Sequence, residues 1–330
     1  MKTILNDSKD PTFNLALEEY VLKELNSEED FVLLWQNANS VIIGRNQNTY
    51  EEINSQVVKD HDVKVVRRIT GGGAVYHDLG NLNFSFITHS LKDNLNNYKK
   101  FTDPVIRALK TMGVNAEFQG RNDIVVDGKK ISGNAQAYYK NKMLHHGTIL
   151  YDADLAFVAN VLNVKQDKIQ SKGIKSNRAR VTNIKPMMTT KLEMEHFKER
   201  LLKELLENDD FTDSIYALTD KDLSRIKKLQ EEKYLKWEWN YGESPTSTNI
   251  KAKRYSGGKI EFHFDLDKGV IKNVKLFGDF LDVGDTKKLI DILEYTPFEI
   301  NAIRQKLNVL NVSQIINNIS NDDIVDCLTS

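Results

Sequence analysis

Apolar residues recur at helical spacing in several stretches of the chain, and turn residues mark where these stretches begin. Asp10-Pro11 is typical of a helix N-terminus and predicts a helix through about Leu25. Asp103-Pro104 repeats this signal and predicts a second helix start. The apolar spacing predicts two more amphipathic helices, over residues 192–206 and 223–229.

Short apolar stretches rich in β-branched residues lie between the helices. They predict strands over residues 31–34, 41–43 and 63–68. Apolar residues also alternate over 82–87, which predicts a strand with one mostly covered face. Asp127-Gly128 separates two further apolar runs and suits a two-residue type I′ hairpin turn.

A polar stretch over residues 241–249, with glycine and proline punctuation, interrupts the patterned regions and predicts a linker. After it, apolar residues alternate over 260–266, and helical patterns follow to the end of the chain. We therefore predict an α+β chain. A mixed sheet-and-helix domain occupies residues 1–244, and a smaller α+β domain occupies residues 245–330.

The composition is that of a soluble globular protein, with 40% hydrophobic and 28% charged residues among 330. A net charge of -1 argues against bulk electrostatic capture of nucleic acid or of an anionic membrane. The sequence has no apolar run near the ~18 residues of a membrane helix and no signal-peptide pattern at its start. Together with a single cysteine, this predicts a cytoplasmic protein.

A glycine-rich segment follows the strand that ends in Arg67 and Arg68. Gly71-Gly72-Gly73 is most easily explained where the backbone adopts positive φ or approaches a ligand closely. Backbone N–H groups in such a turn, together with an arginine, make an anion-binding site. The alternative is a glycine-rich hairpin with solvated arginines. The spacing matches neither a Walker loop nor the dinucleotide fingerprint.

Lys129 and Lys130 directly follow the hairpin turn and must point to opposite faces of their strand. A lysine on the covered face needs an anion, because an unpaired buried ammonium is costly. Residues 132–134 (Ser-Gly-Asn) are small and polar and leave room for a ligand. The alternative is that both lysines reach solvent at a sheet edge.

Residues 171–180 carry four basic side chains and no acid, which is typical either of a solvated connector or of a loop that closes over a phosphorylated ligand. Covalent catalysis has no good candidate, because the lone Cys327 lies near the C-terminus and no Gly-x-Ser-x-Gly motif is present. The histidines lack metal-site spacing. His145-His146 is expected at a strand start, in a structural or substrate-contacting role.

Several of these segments together resemble the lipoate–protein ligase A family. The matching segments are residues 10–20, 41–48, 67–86, 120–136, 145–150 and 171–183. They occur in the family's order, cover most of residues 1–240, and precede a small C-terminal domain typical of bacterial members. The resemblance implies a biotin/lipoate ligase-like catalytic domain.

The resemblance also implies a two-step reaction. Lipoate and ATP form lipoyl-AMP and pyrophosphate, and the lipoyl group then passes to a lysine of an acceptor domain. The implied acceptors are 2-oxoacid dehydrogenase E2 subunits and the glycine cleavage H protein, and the implied role is lipoate scavenging by a monomer. Mg²⁺ is expected with ATP, and Asp123 is a plausible indirect ligand, although the sequence does not identify the metal ligands.

By position, Lys130 corresponds to the family's essential lysine, which would contact the lipoate carboxylate and the α-phosphate. The other positions that correspond to ATP or adenylate binding are Arg68, Gly71, Gly72, Gly73, Ala74, Val75, Tyr76, Lys172, Arg178 and Arg180. The candidates for the lipoate tunnel, besides Lys130, are Trp35, Val75, Gly133 and His146.

Three other functions compete with this one. An ATP-independent octanoyl or lipoyl transferase of the same fold uses a catalytic cysteine, and this chain has none before Cys327. A biotin ligase is disfavoured by the Arg-Arg-Ile-Thr-Gly-Gly-Gly motif and by the lack of an N-terminal DNA-binding domain. A non-catalytic binding protein is disfavoured because Lys130 and the glycine segment are both present.

Overall fold

The computed structural model describes residues 1–89, 96–163, 181–241 and 249–329. The strands are β1 (Lys2–Thr3), β2 (Phe31–Trp35), β3 (Ser40–Ile43), β4 (Lys64–Arg67), β5 (Val75–His77), β6 (Asn81–Thr88), β7 (Glu117–Gln119), β8 (Asp123–Val126), β9 (Lys129–Tyr139), β10 (Lys142–Leu150), β11 (Asn249–Tyr255), β12 (Gly258–Asp267) and β13 (Val270–Gly278).

The α-helices are α1 (Pro11–Lys23), α2 (Thr49–Glu52), α3 (Ser55–Asp60), α4 (Tyr98–Thr111), α5 (Leu155–Val161), α6 (Met194–Leu206), α7 (Asp220–Leu229), α8 (Trp237–Asn240), α9 (Lys287–Leu293), α10 (Ile300–Leu307) and α11 (Asn321–Thr329). Within the described residues, these helices are too short or too polar to cross a membrane. The mixture of sheets and helices confirms the α+β class.

A seven-stranded sheet in the order β1-β2-β6-β10-β9-β8-β7 forms the centre of the large domain. Its neighbouring strands are antiparallel except for the parallel pair β1–β2. One hydrophobic cluster joins it to α4 and α6, and another joins it to α1 and α7. Every residue of β6 is therefore buried, so the prediction of a strand with only one covered face is wrong.

A second, three-stranded sheet in the order β4-β3-β5 carries the glycine-rich segment between β4 and β5. β3 pairs in parallel with β4 and antiparallel with β5. Because the chain leaves β4 at Arg67 and enters β5 at Val75, the glycines lie at one end of this small sheet.

Helix α1 begins as the sequence predicts. The Asp10 side chain accepts a hydrogen bond from the Thr12 backbone N–H, and Pro11 is the first helical residue. The helix is buried along most of its length and includes two buried carboxylates, Glu18 and Glu19. In a helix with one apolar face, acids normally lie on the solvent side, but these two face the protein interior.

The helix start predicted at Asp103-Pro104 is wrong, because α4 already begins at Tyr98. Asn97 caps it by accepting a hydrogen bond from the Lys100 N–H, and Pro104 lies inside the helix. Tyr98 and Phe101 are buried, and burying these two aromatic side chains favours an earlier start. Tertiary packing thus outweighs a local start signal.

The hairpin that carries the two lysines forms as predicted. Asp127 and Gly128 have φ of 49° and 72°, as a type I′ turn requires. β8 and β9 pair on either side of this turn, although a bulge between Ile124 and Val125 shifts the register. Lys130 is thereby held by the sheet as the second residue of β9.

The C-terminal residues form an antiparallel sheet, β11-β12-β13, with α9, α10 and α11 around one hydrophobic cluster. The alternating Ile260, Phe262 and Phe264 are all fully buried in it, as the sequence pattern predicts. The division proposed between residues 244 and 245 lies outside the described residues.

This C-terminal unit contacts the glycine-rich segment directly. The Gly72 N–H donates to the Phe280 carbonyl at 2.9 Å. The Gly278 N–H donates to the Asn46 carbonyl at 2.7 Å, and Arg45 lies 3.4 Å from Asp282. The segment over residues 278–282 therefore covers one side of the glycines.

Candidate active site

A cavity of about 110 Å³ lies between the glycine-rich segment, β9 and β10. Its wall contains all five residues that the sequence suggested for the acyl chain, namely Trp35, Val75, Lys130, Gly133 and His146. Arg68, Gly72 and Gly73 also line it. The structure thus brings together residues that are up to 111 positions apart in the sequence, from Trp35 to His146.

A second cavity of about 250 Å³ adjoins the first. Its wall includes Tyr76 of β5, Ala74 directly before β5, and Asp123 of β8. The two cavities share the four residues Val75, Lys130, Gly133 and Thr148. Lys130 is therefore the cationic side chain common to both walls, as the described residues outline them.

Lys130 points into the site, whereas its neighbour Lys129 is exposed. The Lys130 side chain is 38% exposed, and its Nζ lies 2.7 Å from Asp123 Oδ1. Lys130 is therefore partly exposed but faces the cavities and is ion-paired with Asp123. A Cβ on Gly133 would lie 2.7 Å from Lys130 Nζ, so this position of the ammonium requires glycine at 133.

Arg67 and Arg68 are both buried, so the alternative of solvated arginines is wrong. Arg68 Nη2 donates to the carbonyls of Gly71 at 2.7 Å and Gly73 at 2.9 Å, which holds the glycine segment in shape. Arg67 is directed away from the glycines and donates to the Gln47 carbonyl at 2.6 Å. Burial lowers the pKa of each arginine to about 10, so both remain cationic at neutral pH.

The three glycines have different surroundings. A Cβ on Gly71 would lie 2.6 Å from the Phe280 carbonyl oxygen and 2.6 Å from Asp282 Oδ1, and Gly72 has a φ of +93°. Packing and backbone conformation therefore account for both of these glycines. Apart from Gly73 itself and its two chain neighbours, no described atom lies within 4 Å of the position of a Gly73 Cβ, so of these three glycines Gly73 is the one with open space beside it that a ligand could fill.

The histidine pair lies in the middle of β10, which begins at Lys142, so the predicted place at a strand start is wrong. His145 stacks on Phe101 with ring centroids 4.9 Å apart, and burial holds its pKa well below the ordinary value. His146 lies in the first cavity wall, with Nδ1 2.9 Å from Glu18 Oε1. The first histidine is thus structural, and the second belongs to the site.

Sequence reasoning did not identify two buried residues close to the first cavity. His77 lines it, and its Nδ1 accepts a hydrogen bond from Asn37 Nδ2 at 3.1 Å. Burial lowers the pKa of His77 to about 3. Glu18 stands behind His146 and is 1% exposed. The one sequence signal for Glu18 is that this acid lies among apolar residues of α1. A helical pattern alone places such an acid on the solvent face, so the signal was not sufficient.

Lys172, Arg178 and Arg180 lie outside the described residues, as does the whole basic segment over residues 171–180. Val181, the residue that follows it, lines the second cavity and forms a β-bridge with Lys130. Among the described residues, Glu51, Glu261 and His263 form a group with metal-ligand atoms within 4.8 Å of one another. None of these three is in either cavity wall.

The fold and the site have the architecture of a cofactor-attaching ligase, with a cavity on each side of one lysine. In agreement, residues 10–206 match the family described as lipoyl protein ligase A/B catalytic domain. Residues 244–328 match the family described as bacterial lipoate protein ligase C-terminus. The chain belongs to the lipoate–protein ligase family and is an enzyme, which confirms the resemblance seen in the sequence.

Two curated relatives are similar over nearly their whole length. The chain is 47% identical to lipoate-protein ligase LplJ of Bacillus subtilis over 320 residues, which is 97% of each chain. It is 44% identical to lipoate–protein ligase 1 of Staphylococcus aureus over 326 residues, which is 98% of this chain and 99% of that one.

Two solved structures are similar as well. The structure of P. falciparum LipL1 in complex with lipoate has a TM-score of 0.77 at 29% identity, and covers 98% of this chain and 97% of that chain. The structure of lipoate-protein ligase A bound with ATP has a TM-score of 0.61 at 27% identity, and covers 73% of this chain and 98% of that chain.

Proposed function

We propose that the chain is an ATP-dependent lipoate–protein ligase that activates free lipoate as lipoyl-AMP and transfers the lipoyl group to an acceptor lysine. The observation that carries this proposal is the position of Lys130, which lies in the walls of both cavities. A reaction that joins an acid to a nucleotide needs a cation where the two substrates meet. Relatives of known structure are described with lipoate and with ATP, which supports these two substrates, and we propose one for each cavity.

The first cavity suits the acyl chain. Leu15, Trp35, Ile42 and Val75 supply apolar wall, and each buried methylene contributes ~0.8 kcal/mol. The second cavity, with Ala74, suits the nucleotide. Gly73 lines the first cavity directly before Ala74 of the second, so a phosphate that approached the Gly73 backbone would lie where the two cavities meet.

In the first step, a lipoate carboxylate oxygen attacks the α-phosphorus of ATP. A new O–P bond forms, the bond to the β-phosphate oxygen breaks, and pyrophosphate leaves with the electron pair. Both reactants are anions, so catalysis here consists of positioning and charge stabilisation rather than covalent help. Lys130 would exchange its ion pair with Asp123 for contacts to the carboxylate and the α-phosphate.

In the second step, the ε-amine of the acceptor lysine attacks the lipoyl carbonyl. The C–N bond forms, the C–O bond to AMP breaks, and the amine nitrogen loses a proton. Lys130 would stabilise the negative charge that develops on the carbonyl oxygen. We propose lipoyl domains of 2-oxoacid dehydrogenase E2 subunits and the glycine cleavage H protein as acceptors. An archaeal relative of known structure is described together with its E2 lipoyl domain.

Mg²⁺ is proposed as the companion of ATP, where it would neutralise phosphate charge. Asp123 is the carboxylate in the described wall of the second cavity, and Mg²⁺ typically takes one or two carboxylates together with substrate phosphates. Asp123 is thus suited to hold it once Lys130 has turned towards the substrates. Lys172, Arg178 and Arg180 are proposed to bind the adenylate phosphate.

The competing transferase function needs a nucleophilic cysteine. The only cysteine is Cys327, which is 1% exposed and packed in the C-terminal core. Burial raises the pKa of its thiol to about 11, which suppresses the thiolate that would have to attack. This side chain therefore does not support covalent acyl transfer.

We further propose that residues 1–244 carry both half-reactions and that residues 245–330 form an accessory domain. Its segment over residues 278–282 contacts the glycines, so the accessory domain would affect the nucleotide side of the site. A monomer in the cytoplasm that uses scavenged lipoate is the proposed biological setting.

Pyrophosphate release from ATP, with and without lipoate and before any acceptor is added, tests the proposed function. We expect lipoate-dependent release and an acid-labile lipoyl-AMP that stays bound. Lys130→Ala should reduce release by at least about 10²-fold. Lys129→Ala, on the exposed neighbour, is the matched control and should leave release unchanged. No release with or without an acceptor domain would contradict the proposal and reopen the transferase function.

A further inference from the structure

Glu18 is a buried carboxylate that the proposed reaction does not use. Neither cavity, as the described residues outline it, includes Glu18 in its wall. It accepts a hydrogen bond from Ser85 Oγ at 2.6 Å, and Ser85 Oγ accepts one from Trp35 Nε1 at 2.8 Å. An indole nitrogen is only a donor and a carboxylate only an acceptor, so this branch runs in one direction, from Trp35 to Glu18.

A second branch reaches Glu18 from the glycine-rich segment. His146 Nδ1 lies 2.9 Å from Glu18 Oε1, and because a carboxylate only accepts, Nδ1 is the donor of this bond. Thr70 Oγ1 lies 2.8 Å from His146 Nε2. The same hydroxyl oxygen accepts from Arg68 Nε at 3.0 Å. This branch is therefore continuous from Arg68 to Glu18.

One branch ends in the wall of the first cavity, and the other ends at the glycine-rich segment. Trp35 and His146 line the first cavity, which is proposed for the acyl chain. Arg68 holds the carbonyls of Gly71 and Gly73 and so sets the shape of the glycine-rich segment. All six side chains of the network are buried, namely Trp35, Ser85, Glu18, His146, Thr70 and Arg68.

Resting on the proposed function, we infer that Glu18 and Thr70 are positioning residues that couple acyl binding to nucleotide binding. The Ser85 hydroxyl donates its one proton to Glu18, and the Thr70 hydroxyl contacts both His146 and Arg68. A rotation at one end of the network therefore leaves a buried polar group unpaired further along. A lipoate molecule that fixes Trp35 and His146 also fixes Arg68 and the glycine segment. The nucleotide then binds to a glycine segment that is already ordered, so its binding loses less conformational entropy. By linkage, the nucleotide tightens the binding of lipoate by the same factor.

Binding of α,β-methylene-ATP, which cannot transfer its AMP group to lipoate, measures this coupling when it is titrated with and without saturating lipoic acid by calorimetry. We expect lipoic acid to tighten nucleotide binding by about tenfold in the unaltered enzyme. Thr70→Val keeps the side-chain shape but removes the hydroxyl, and it should reduce that factor to less than about twofold. Thr70→Ser retains the hydroxyl and should restore the factor.

A second pair of variants keeps the test independent of how Thr70→Val folds. Both branches meet at Glu18 Oε1, and Oε2 also lies 3.1 Å from His146 Nδ1. Glu18→Gln should lose the coupling, because it removes the negative charge and replaces one of these oxygens by an amide nitrogen that cannot accept a hydrogen bond. Glu19→Gln is the matched control: this adjacent carboxylate on the same helix is also buried, but it binds Lys23, Lys233 and Tyr234 outside the network. It should keep the coupling factor of the unaltered enzyme.

The outcomes separate this inference from the proposed function. If the unaltered enzyme binds both ligands without mutual effect, or if Thr70→Val or Glu18→Gln keeps the full coupling factor, the positioning role is overturned and the ligase function stands. If the unaltered enzyme binds neither lipoic acid nor the nucleotide analogue, both are overturned. An equal loss of coupling in Glu19→Gln would also overturn the role, because it would make the effect one of general packing.

Discussion

Gly133→Ala should raise the stability of the protein and abolish most of its activity. Gly133 lies in β9 with ordinary backbone angles, and the first described atoms that its Cβ would meet are Lys130 Nζ at 2.7 Å and Lys130 Cε at 3.0 Å. Both belong to the end of a flexible side chain, which can move away. Because alanine loses less backbone entropy than glycine in a strand, we expect a stabilisation of roughly 0.5–1 kcal/mol.

The displacement of the Lys130 ammonium by the alanine Cβ should strongly reduce the rate of the reaction. An ordinary contact with a Cβ requires 3.4 Å or more, so the ammonium must move by about 0.7 Å or further from its present position. A misplacement of about 1 Å at a reacting centre typically costs ~10²-fold in rate. We therefore expect lipoate-dependent pyrophosphate release to fall by about that factor.

Thermal unfolding measures the expected gain in stability, and pyrophosphate release on the same preparation measures the expected loss of activity. The double variant Lys130→Ala/Gly133→Ala is the control. Once the ammonium is gone, Gly133→Ala should cause no further loss of pyrophosphate release relative to Lys130→Ala alone. Independent, multiplying effects of the two changes on release would refute the reasoning. So would a Gly133→Ala enzyme of normal activity.

Three further predictions concern the glycine segment, a buried imidazole and the cysteine. Gly71→Ala should loosen the C-terminal unit, because its Cβ would lie 2.6 Å from backbone of Phe280, and limited proteolysis should cut the variant faster than Gly73→Ala, whose Cβ meets no described atom. His77 has a pKa of about 3 in the folded protein against 6.5 when unfolded, so the unfolded chain binds the extra proton and stability falls as pH drops below about 6.5. His77→Gln should remove up to about 1.4 kcal/mol per pH unit from that slope between pH 6 and 4 in urea unfolding; an unchanged slope would contradict a neutral buried ring. Cys327→Ala should keep full ligation activity, and its loss without loss of folding would favour the thiol transferase.

Local signals predicted the elements that are determined locally. The Asp-Gly turn and the Asp10 cap each depend on two or three neighbouring residues, and both occur as predicted. Asp103-Pro104 gives an equally strong local signal, but the helix, which buries Tyr98 and Phe101, begins at Tyr98, six residues before Pro104. Packing against distant residues decides such cases, and a single sequence does not display it.

The site was predictable to the extent that its residues form compact motifs. Lys130 follows a hairpin turn, and its inward direction follows from strand alternation. Glu18 was not predictable, because its partners, Ser85 and His146, are on strands 67 and 128 positions away. The burial of Arg68 was hidden for a similar reason, since one acceptor is the carbonyl of Ile42 on a neighbouring strand.

The glycine-rich segment is held by two different parts of the protein at once. From inside, Arg68 binds the carbonyls of Gly71 and Gly73. From outside, the Phe280 carbonyl accepts the Gly72 N–H. A phosphate that used the Gly72 N–H would have to displace Phe280, whereas a phosphate at Gly73 would not. The arrangement therefore permits nucleotide binding with the C-terminal unit in contact only if the Gly73 side of the segment receives the phosphates.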